Sequence, residues 1–388
     1  MASVELIATA PMGLEALVAK EVKDLGYIDV TVDNGAVTFQ ADEAAICRAN
    51  LWLRTADRVL VKLGEFPATT FEELFQGTRA LPWDEWIPAN GNFHINGRSH
   101  KSQLSSVPAS QGVVEKAIVE RLKQKHRLEW FPKTGALYSI EVSLLKDVAM
   151  LTMDTTGPGL HKRGYRKLTA EAPIKETLAA ALIELARWHP ERPFWDPMCG
   201  SGTIPIEAAL IGHNIAPGIH RQFSADGWER IGPELWQAAR DEALDLADYD
   251  KQLEIIATDV NTEVLELATY HLKRAGLTKS VTLRRQPLKD LKTESKYGYL
   301  ITNPPYGERL GEREEVERLY RELGRVCKGL PEWSVFVITA HKGFERYFGR
   351  GADKKRKLYN GRIECDLYQY HGKYHARPVP FDELQPTT

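Results

Sequence analysis

From about residue 170 the chain alternates short apolar strands with amphipathic helices, and three polar motifs each close one of those strands. Phe194-Trp195 runs into Asp196-Pro197-Met198-Cys199-Gly200-Ser201-Gly202-Thr203, and Leu253-Glu254-Ile255-Ile256-Ala257-Thr258 ends in Asp259. Tyr299 to Thr302 ends in Asn303-Pro304-Pro305-Tyr306. Strand then helix, repeated, predicts an α/β domain with a mostly parallel sheet. Such sheets bind ligands at the carboxyl ends of their strands, and all three motifs fall there. Helical spacing follows each motif: Ile204, Ile206 and Leu210, then Val264, Leu267, Ala268, His271, Leu272 and Ala275, then Val316, Leu319, Tyr320, Leu323 and Val326. Val335 to Ile338 reads as a further buried strand. Residues 357–367, with Asn360-Gly361 at the centre, read as a closing antiparallel hairpin.

Asn303-Pro304-Pro305-Tyr306 suits the holding of a planar NH₂ group. The Asn303 side-chain carbonyl and the Pro304 backbone carbonyl can each accept one of its hydrogens, which aims the nitrogen lone pair. Consecutive prolines fix φ and set both acceptors before a substrate arrives. Tyr306 can stack on a flat ring. The bland alternative is a turn after a buried strand. In the first motif, Gly200 and Gly202 let backbone pass close to a ligand at a helix start, and Asp196 can bind an amino-bearing or cationic group. The G-x-G-x-x-G form is missing, because Thr203-Ile204-Pro205 follows, so a dinucleotide pyrophosphate fits poorly. Asp259 is placed to accept two ribose hydroxyls, or else is a helix-start acid favoured by the dipole. His271 lies on an apolar stripe and reads as packed. The 212–250 insert, between glycine loop and second acid, is expected to line the substrate side of the pocket.

Ahead of this region the pattern is α+β. Residues 4–9 alternate like a strand, Leu14, Leu17, Val18, Val22 and Leu25 mark a helix, and Gly35 to Phe39 reads as another strand, closing a unit near residue 60. A second unit carries a strand and basic loop over 93–102, including Arg98 and Lys101, then a helix through Val114, Ile118 and Leu122. A hairpin follows, Leu137 to Leu144 and Val148 to Met153, turning at Lys146-Asp147. Gly157-Pro158-Gly159 then precedes His161-Lys162-Arg163-Gly164-Tyr165-Arg166-Lys167, five basic residues around one tyrosine. That stretch fits either a phosphate grip or a solvated linker. Lys354-Lys355-Arg356-Lys357, just before the closing hairpin, leaves the same two options.

A net charge of −2 over 388 residues confines any nucleic-acid surface to local patches. Cys47, Cys199, Cys327 and Cys365 are scattered without a CxxC or His/Cys cluster, which fits a reducing cytoplasm and argues against a metal site. The first residues show no signal peptide, and no apolar run reaches the roughly 18 residues of a membrane span.

The 196–203 stretch is similar to the glycine loop of class I AdoMet-dependent methyltransferases, and the second unit resembles a THUMP RNA-binding domain. Along nearly its full length the chain resembles the RlmL-type 23S rRNA guanine-N2 methyltransferases in their stand-alone form. The carrying stretches are His161-Lys162-Arg163-Gly164-Tyr165-Arg166, Ala172-Pro173-Ile174-Lys175-Glu176-Thr177-Leu178-Ala179-Ala180-Ala181, residues 196–203, and Asn303-Pro304-Pro305-Tyr306-Gly307-Glu308-Arg309-Leu310. The resemblance implies a ferredoxin-like unit over 1–60, a THUMP domain over 61–156, a linker over 157–172 and a Rossmann-like class I methyltransferase domain over 173–380. It implies that S-adenosyl-L-methionine (AdoMet) is held by Asp196, Pro197, Cys199, Gly200, Ser201, Gly202, Thr203, Asp259 and Val260, with Glu176 and Thr177 closing over it. Asn303, Pro304, Pro305 and Tyr306 would hold a flipped guanine. Arg98, Lys101, Lys162, Arg163, Arg166, Lys354, Lys355 and Arg356 are the implied RNA contacts, with 23S rRNA or a pre-50S particle as partner. Many methyltransferases place an Asp after the third strand to read adenine. Here that position is Pro287, which leaves Gln286, Asp290 or the backbone of Leu288. Adenine-N6 methylation of RNA or DNA, and glutamine-N5 methylation of a protein, use the same tetrapeptide. A non-enzymatic RNA-binding factor is the remaining alternative.

Overall fold

The computed structural model describes residues 3–166, 174–307 and 313–373. The chain forms two compact units: Met1–Gly164 with Ile215–Ala247, and Tyr165–Asn214 with Asp248–Thr388. The stretches 167–173 and 308–312, which include Lys167, Ala172, Pro173 and Glu308-Arg309-Leu310 of the motifs above, lie outside the described residues.

The first unit runs β1 (Val4–Thr9), α1 (Glu15–Asp24), β2 (Val30–Asp33), β3 (Ala36–Ala41), α2 (Ala44–Trp52), β4 (Arg58–Pro67), α3 (Phe71–Ala80), α4 (Trp83–Trp86), β5 (Asn92–His100), α5 (Val107–His126), β6 (Leu137–Leu145) and β7 (Val148–Asp154). All seven strands share one sheet in the order β2-β3-β1-β4-β7-β6-β5. β4 unites the two pieces that the sequence suggests. Its residues Arg58–Lys62 pair with β1, and Leu60–Pro67 pair with β7 across an irregularity between Lys62 and Gly64. A boundary near residue 60 therefore cuts through a strand, and Val59 and Val61 serve one continuous core. The β6–β7 hairpin turns at Lys146 and Asp147, both at positive φ, 51° and 65°. That pair of conformations matches the twist of the flanking strands.

The core of this unit is completed from far along the chain. Residues 215–247, most of the 212–250 insert, cluster with the N-terminal sheet. The element responsible is α8 (Gly232–Asp245), reached after α6 (Glu176–Ala186) and α7 (Thr203–Gly212) and packed on α2. Trp228 stacks on Tyr138 of β6 at 4.7 Å and meets Trp86 edge-on at 6.3 Å. Phe223 stacks on Trp236 at 5.1 Å. Arg48 grips Glu242 with two hydrogen bonds of 2.8 Å, and Arg230 reaches Glu43 at 3.0 Å. Large aromatic rings need a desolvated partner surface, and the N-terminal sheet supplies it.

The second unit contains α6, β8 (Phe194–Asp196), α7, β9 (Ile255–Asp259), α9 (Thr262–Arg274), β10 (Thr282–Arg285), β11 (Tyr299–Thr302), α10 (Arg313–Lys328), β12 (Ser334–Thr339), α11 (Phe344–Phe348), β13 (Lys354–Asn360) and β14 (Ile363–Tyr370). Its strands are ordered β10-β9-β8-β11-β12-β14-β13. The first five run parallel, and β14 and β13 join antiparallel. The strand order reverses between β8 and β11, which opens a crevice at their carboxyl ends. The Lys354–Lys357 run does not precede the closing hairpin but lies inside β13, an edge strand, where lysines oppose edge-to-edge pairing. Asn360 pairs with Ile363, so the turn is Gly361-Arg362, with Gly361 at φ +64°.

Candidate active site

β8 delivers Asp196 into the crevice with only 1% of its surface exposed. The Thr302 hydroxyl donates to Asp196 Oδ1 at 2.7 Å, and the Met198 N–H donates to the same oxygen at 3.2 Å. No described residue donates to Oδ2. Burial pushes the Asp196 carboxyl up to about 7, opposed by the Thr302 and Met198 hydrogen bonds and reinforced by the neighbouring Asp259 charge. A buried carboxylate with one open oxygen and no facing cation is a place for a positively charged donor.

The loop beyond Asp196 is pinned from the next strand. Cys199 N–H donates to Thr258 O at 3.0 Å, and Gly200 N–H donates to Asp259 Oδ2 at 3.0 Å. Asp259 is half-buried and accepts from the Asn261 N–H on its other oxygen, also at 3.0 Å. Gly200 and Gly202 sit at φ +50° and +82°. A Cβ on Gly202 would meet Ala268 at 3.1 Å, whereas one on Gly200 would point into open space within 4 Å. Buried His271 donates from Nδ1 to Ser201 O at 3.0 Å, so the packed histidine steadies this loop from α9. Burial pushes the Cys199 thiol far up, which removes it as a nucleophile.

β11 delivers Asn303, half-buried, immediately after the fully buried Thr302. The Tyr306 hydroxyl donates to Asn303 Oδ1 at 2.7 Å, so the motif's tyrosine takes one of that oxygen's lone pairs. Its partner on the other side is the Cys365 thiol of β14, 3.6 Å away. Tyr320 of α10 donates to Pro305 O at 2.7 Å and bonds Thr339 at 2.9 Å, fixing the second proline from the core. The Pro304 carbonyl accepts no hydrogen bond from the described residues.

A model of the RMKL-like methyltransferase domain matches residues 163–369, more than half of the chain. The chain belongs to this family. The RlmL ferredoxin-like domain model matches residues 5–60 of this RMKL-like methyltransferase, and the THUMP model matches 68–154. It is 53% identical over 370 residues to the Bacillus subtilis (strain 168) protein named "Putative RNA methyltransferase YpsC", covering 95% of this chain and 96% of that one. It is 34% identical over 384 residues to the ribosomal RNA large subunit methyltransferase K/L of Syntrophotalea carbinolica, covering 95% of this chain but only 54% of that longer protein. Among solved structures, a Listeria monocytogenes protein described as a "predicted N6-adenine-specific DNA methylase" matches with a TM-score of 0.93 at 53% identity, covering 96% of this chain and 97% of that one. SMU.472, solved with S-adenosylhomocysteine (SAH), matches with a TM-score of 0.91 at 47% identity, covering 96% and 99%.

AdoMet is the methyl donor of this RMKL-like methyltransferase, and the site fits it: the open Asp196 oxygen suits its amino group, and the bare Gly200 backbone allows close approach. Glu176 and Thr177 stand at the start of α6, both buried. The Glu176 carboxylate is committed to Arg166, with contacts of 3.0 and 2.5 Å. Ser201 and Thr203 are buried in the loop and the first turn of α7, while Pro197 precedes the turn and Val260 is exposed beyond Asp259. Leu288 is buried at the start of a single 3-10 turn, and the Gln286 side-chain NH₂ is spent on Asp290 O at 2.9 Å.

Two expected RNA contacts are corrected. Arg163 is only 3% exposed and donates to the carbonyls of Leu160 and Arg54. Arg166 is half-buried, its guanidinium paired with Glu176 and donating to Ile174 O. A desolvated guanidinium must find acceptors for its rigid fork of donors, and here backbone carbonyls and one carboxylate fill it. Lys101, Lys162 and Lys354 are exposed. Arg98 and Lys355 are exposed too, each beside a carboxylate (Glu141 at 3.2 Å, Glu345 at 2.8 Å), and Arg356 is half-buried. Among the described residues no group of three His, Cys, Asp or Glu side chains is placed to hold a metal, and no helix is long and apolar enough to cross a membrane.

Proposed function

We propose that this enzyme methylates the exocyclic N2 of a guanine in 23S rRNA, as naked RNA or within a pre-50S particle, in the cytoplasm. The observation that carries the reading is Asn303-Pro304 at the end of β11, beside the Asp196 crevice, with two carbonyl acceptors a short step from the cofactor side. The ferredoxin-like and THUMP matches ahead of the catalytic unit support RNA, and the ribosomal RNA methyltransferase relative supports the large subunit.

Bound AdoMet supplies a methyl group activated by its sulfonium. Asp196 would hold the amino group of the cofactor, Asp259 would accept from its ribose hydroxyls, the 197–203 loop and Thr203 at the start of α7 would supply the backbone beside it, and the backbone of Leu288 would meet the adenine. Asn303 Oδ1 and Pro304 O accept the two hydrogens of the guanine amino group, which turns its lone pair toward the methyl. With AdoMet bound, the N–C bond would form as the S–C bond breaks, leaving SAH, and the surplus proton would pass from the nitrogen to water. Tyr306 stacks on the flipped base once its hydroxyl releases Asn303. Lys101, Lys162 and Lys354, with Arg98, Lys355 and Arg356, meet the phosphate backbone.

The test is incubation with AdoMet and unmodified 23S rRNA, followed by nucleoside mass spectrometry beside an Asn303→Ala control. N2-methylguanosine that vanishes in the control is the expected result. N6-methyladenosine would overturn the base assignment while keeping the site. No methylated nucleoside from RNA or pre-50S particles, with SAH binding intact, would move the substrate to DNA or a protein amide.

A further inference from the structure

The ladder between β8 and β11 ends early. Tyr299 pairs with Phe194 and Leu300 with Trp195, and no pairing joins the strands beyond that point. Past the last rung, a side-chain bond joins the two strand ends: Thr302 Oγ1 to Asp196 Oδ1, 2.7 Å, between residues exposed 0% and 1%. Thr302 is also the residue directly before Asn303. A single hydroxyl therefore touches the cofactor-side carboxylate and begins the loop that presents the acceptors.

We propose that Thr302 is a positioning residue that couples the two halves of the site, turning Asp196 so that Oδ2 faces the cofactor and anchoring Asn303 when the cofactor is held. The second donor to Oδ1, the Met198 N–H, is longer at 3.2 Å and comes from the loop on Asp196's own side, so it cannot reach across to β11. A hydrogen bond to an ionised carboxylate is stronger than one to its neutral form. Ionisation of Asp196 on binding a cationic ligand therefore tightens the Thr302 contact and the start of the 303–307 loop together. The titratable groups facing Asp196 are Asp259 from β9, whose charge opposes ionisation, and the Cys199 thiol of the loop, which burial keeps protonated. No cationic side chain among the described residues contributes to Asp196, which leaves the Thr302 hydroxyl as the main side-chain support for its charge.

The anchoring half of this proposal rests on Asn303 as the amino-group acceptor; the binding half does not, and both are read without any nucleic acid. SAH affinity would be measured by calorimetry from about pH 6 to about pH 9 on the full chain, for wild type, Thr302→Val and Thr302→Ser. Removing a hydrogen bond to a charged group changes an equilibrium by about tenfold or more. Thr302→Val should lose about tenfold in affinity near pH 6.5 and move the pH of half-maximal binding upward by about one unit. Thr302→Ser should restore the profile. A loss equal at every pH, or a Ser variant as weak as Val, would show a packing role only. Hydrogen exchange of the peptide spanning 299–307 reads the coupling. SAH should protect it in wild type and not in Thr302→Val; no protection in wild type would overturn the anchoring, whichever base the enzyme methylates.

Discussion

The two halves of the site are built to opposite rules. On the cofactor side, Cys199, Gly200 and Ser201 are tied to Thr258, Asp259 and His271, and the buried Asp196 carboxylate keeps an oxygen open. On the acceptor side, Asn303 is already engaged by Tyr306 of its own loop. The cofactor half is ready for its ligand, while on the acceptor half the Asn303 amide, unlike the open Pro304 carbonyl, is satisfied within its own loop until a better donor arrives. Preorganisation suits a ligand that every cycle reuses. A self-closed acceptor suits a rarer substrate, because an unsatisfied half-buried amide would otherwise cost on the order of 1–3 kcal/mol.

The sharpest break between the halves is Asn303→Ala. It should cut methyl transfer by about 10²- to 10³-fold, by analogy with loss of one transition-state hydrogen-bonding partner. SAH affinity in calorimetry should stay within about twofold of wild type. Asp196→Asn is the complementary variant and should weaken SAH by roughly ten- to a hundredfold, the worth of a charge-assisted hydrogen bond. A variant that lost both properties equally would merge the halves into one unit.

Proton linkage should also separate them. The Asp196 carboxyl stands at about 7, above its ordinary value near 4, so it stabilises the unbound fold most at low pH. That contribution is lost as pH rises through about 7. A ligand ammonium held at Oδ2, such as the α-amino group of SAH, reverses the preference, so SAH affinity should fall by up to about tenfold per unit as pH drops below about 7. In thermal melts the SAH-induced rise in Tm should therefore be larger near pH 8 than near pH 6, and Asp196→Asn should flatten the difference.

Tyr306→Phe has the smallest expected effect. It frees the Asn303 lone pair and keeps the ring, so kcat/KM on rRNA should remain within about threefold of wild type and on the upper side. Tyr306→Ala, which removes the stacking ring, should lose about tenfold or more. A Phe variant as poor as Ala would mean that the hydroxyl takes part in holding the base.

The parts legible in the sequence are those whose chemistry is local. Asp196, Asp259 and Asn303 stand at or just after strand ends, Gly200 and Gly202 lie in the loop that follows Asp196, and the repeated apolar strand and amphipathic helix around them predict the parallel sheet that gathers the strand ends. What was hidden depends on partners distant in sequence. Arg163 and Arg166 read as surface cations because nothing nearby announces the carbonyls and the Glu176 carboxylate that engage them. Thr302 passed as an ordinary strand residue, although a threonine in the last, buried position of a central strand needs a hydrogen-bond partner. Phe223, Trp228 and Trp236 announce a buried surface, but no spacing says that they belong with the N-terminal sheet, more than 60 residues earlier in the chain.

That last arrangement has a consequence for the order in which the protein can be made. Translation produces residues 1–164 well before Phe223, Trp228 and Trp236 exist, so the first sheet is exposed to the cell with Tyr138, Trp86 and the α2 face uncovered. Nascent chains usually mature from the N-terminus, one finished domain after another. Here the leading unit has to wait, open, until about residue 247 has emerged and the chain has already begun its second sheet. The N-terminal unit cannot be finished as a separate module: its last structural piece is encoded inside the catalytic half.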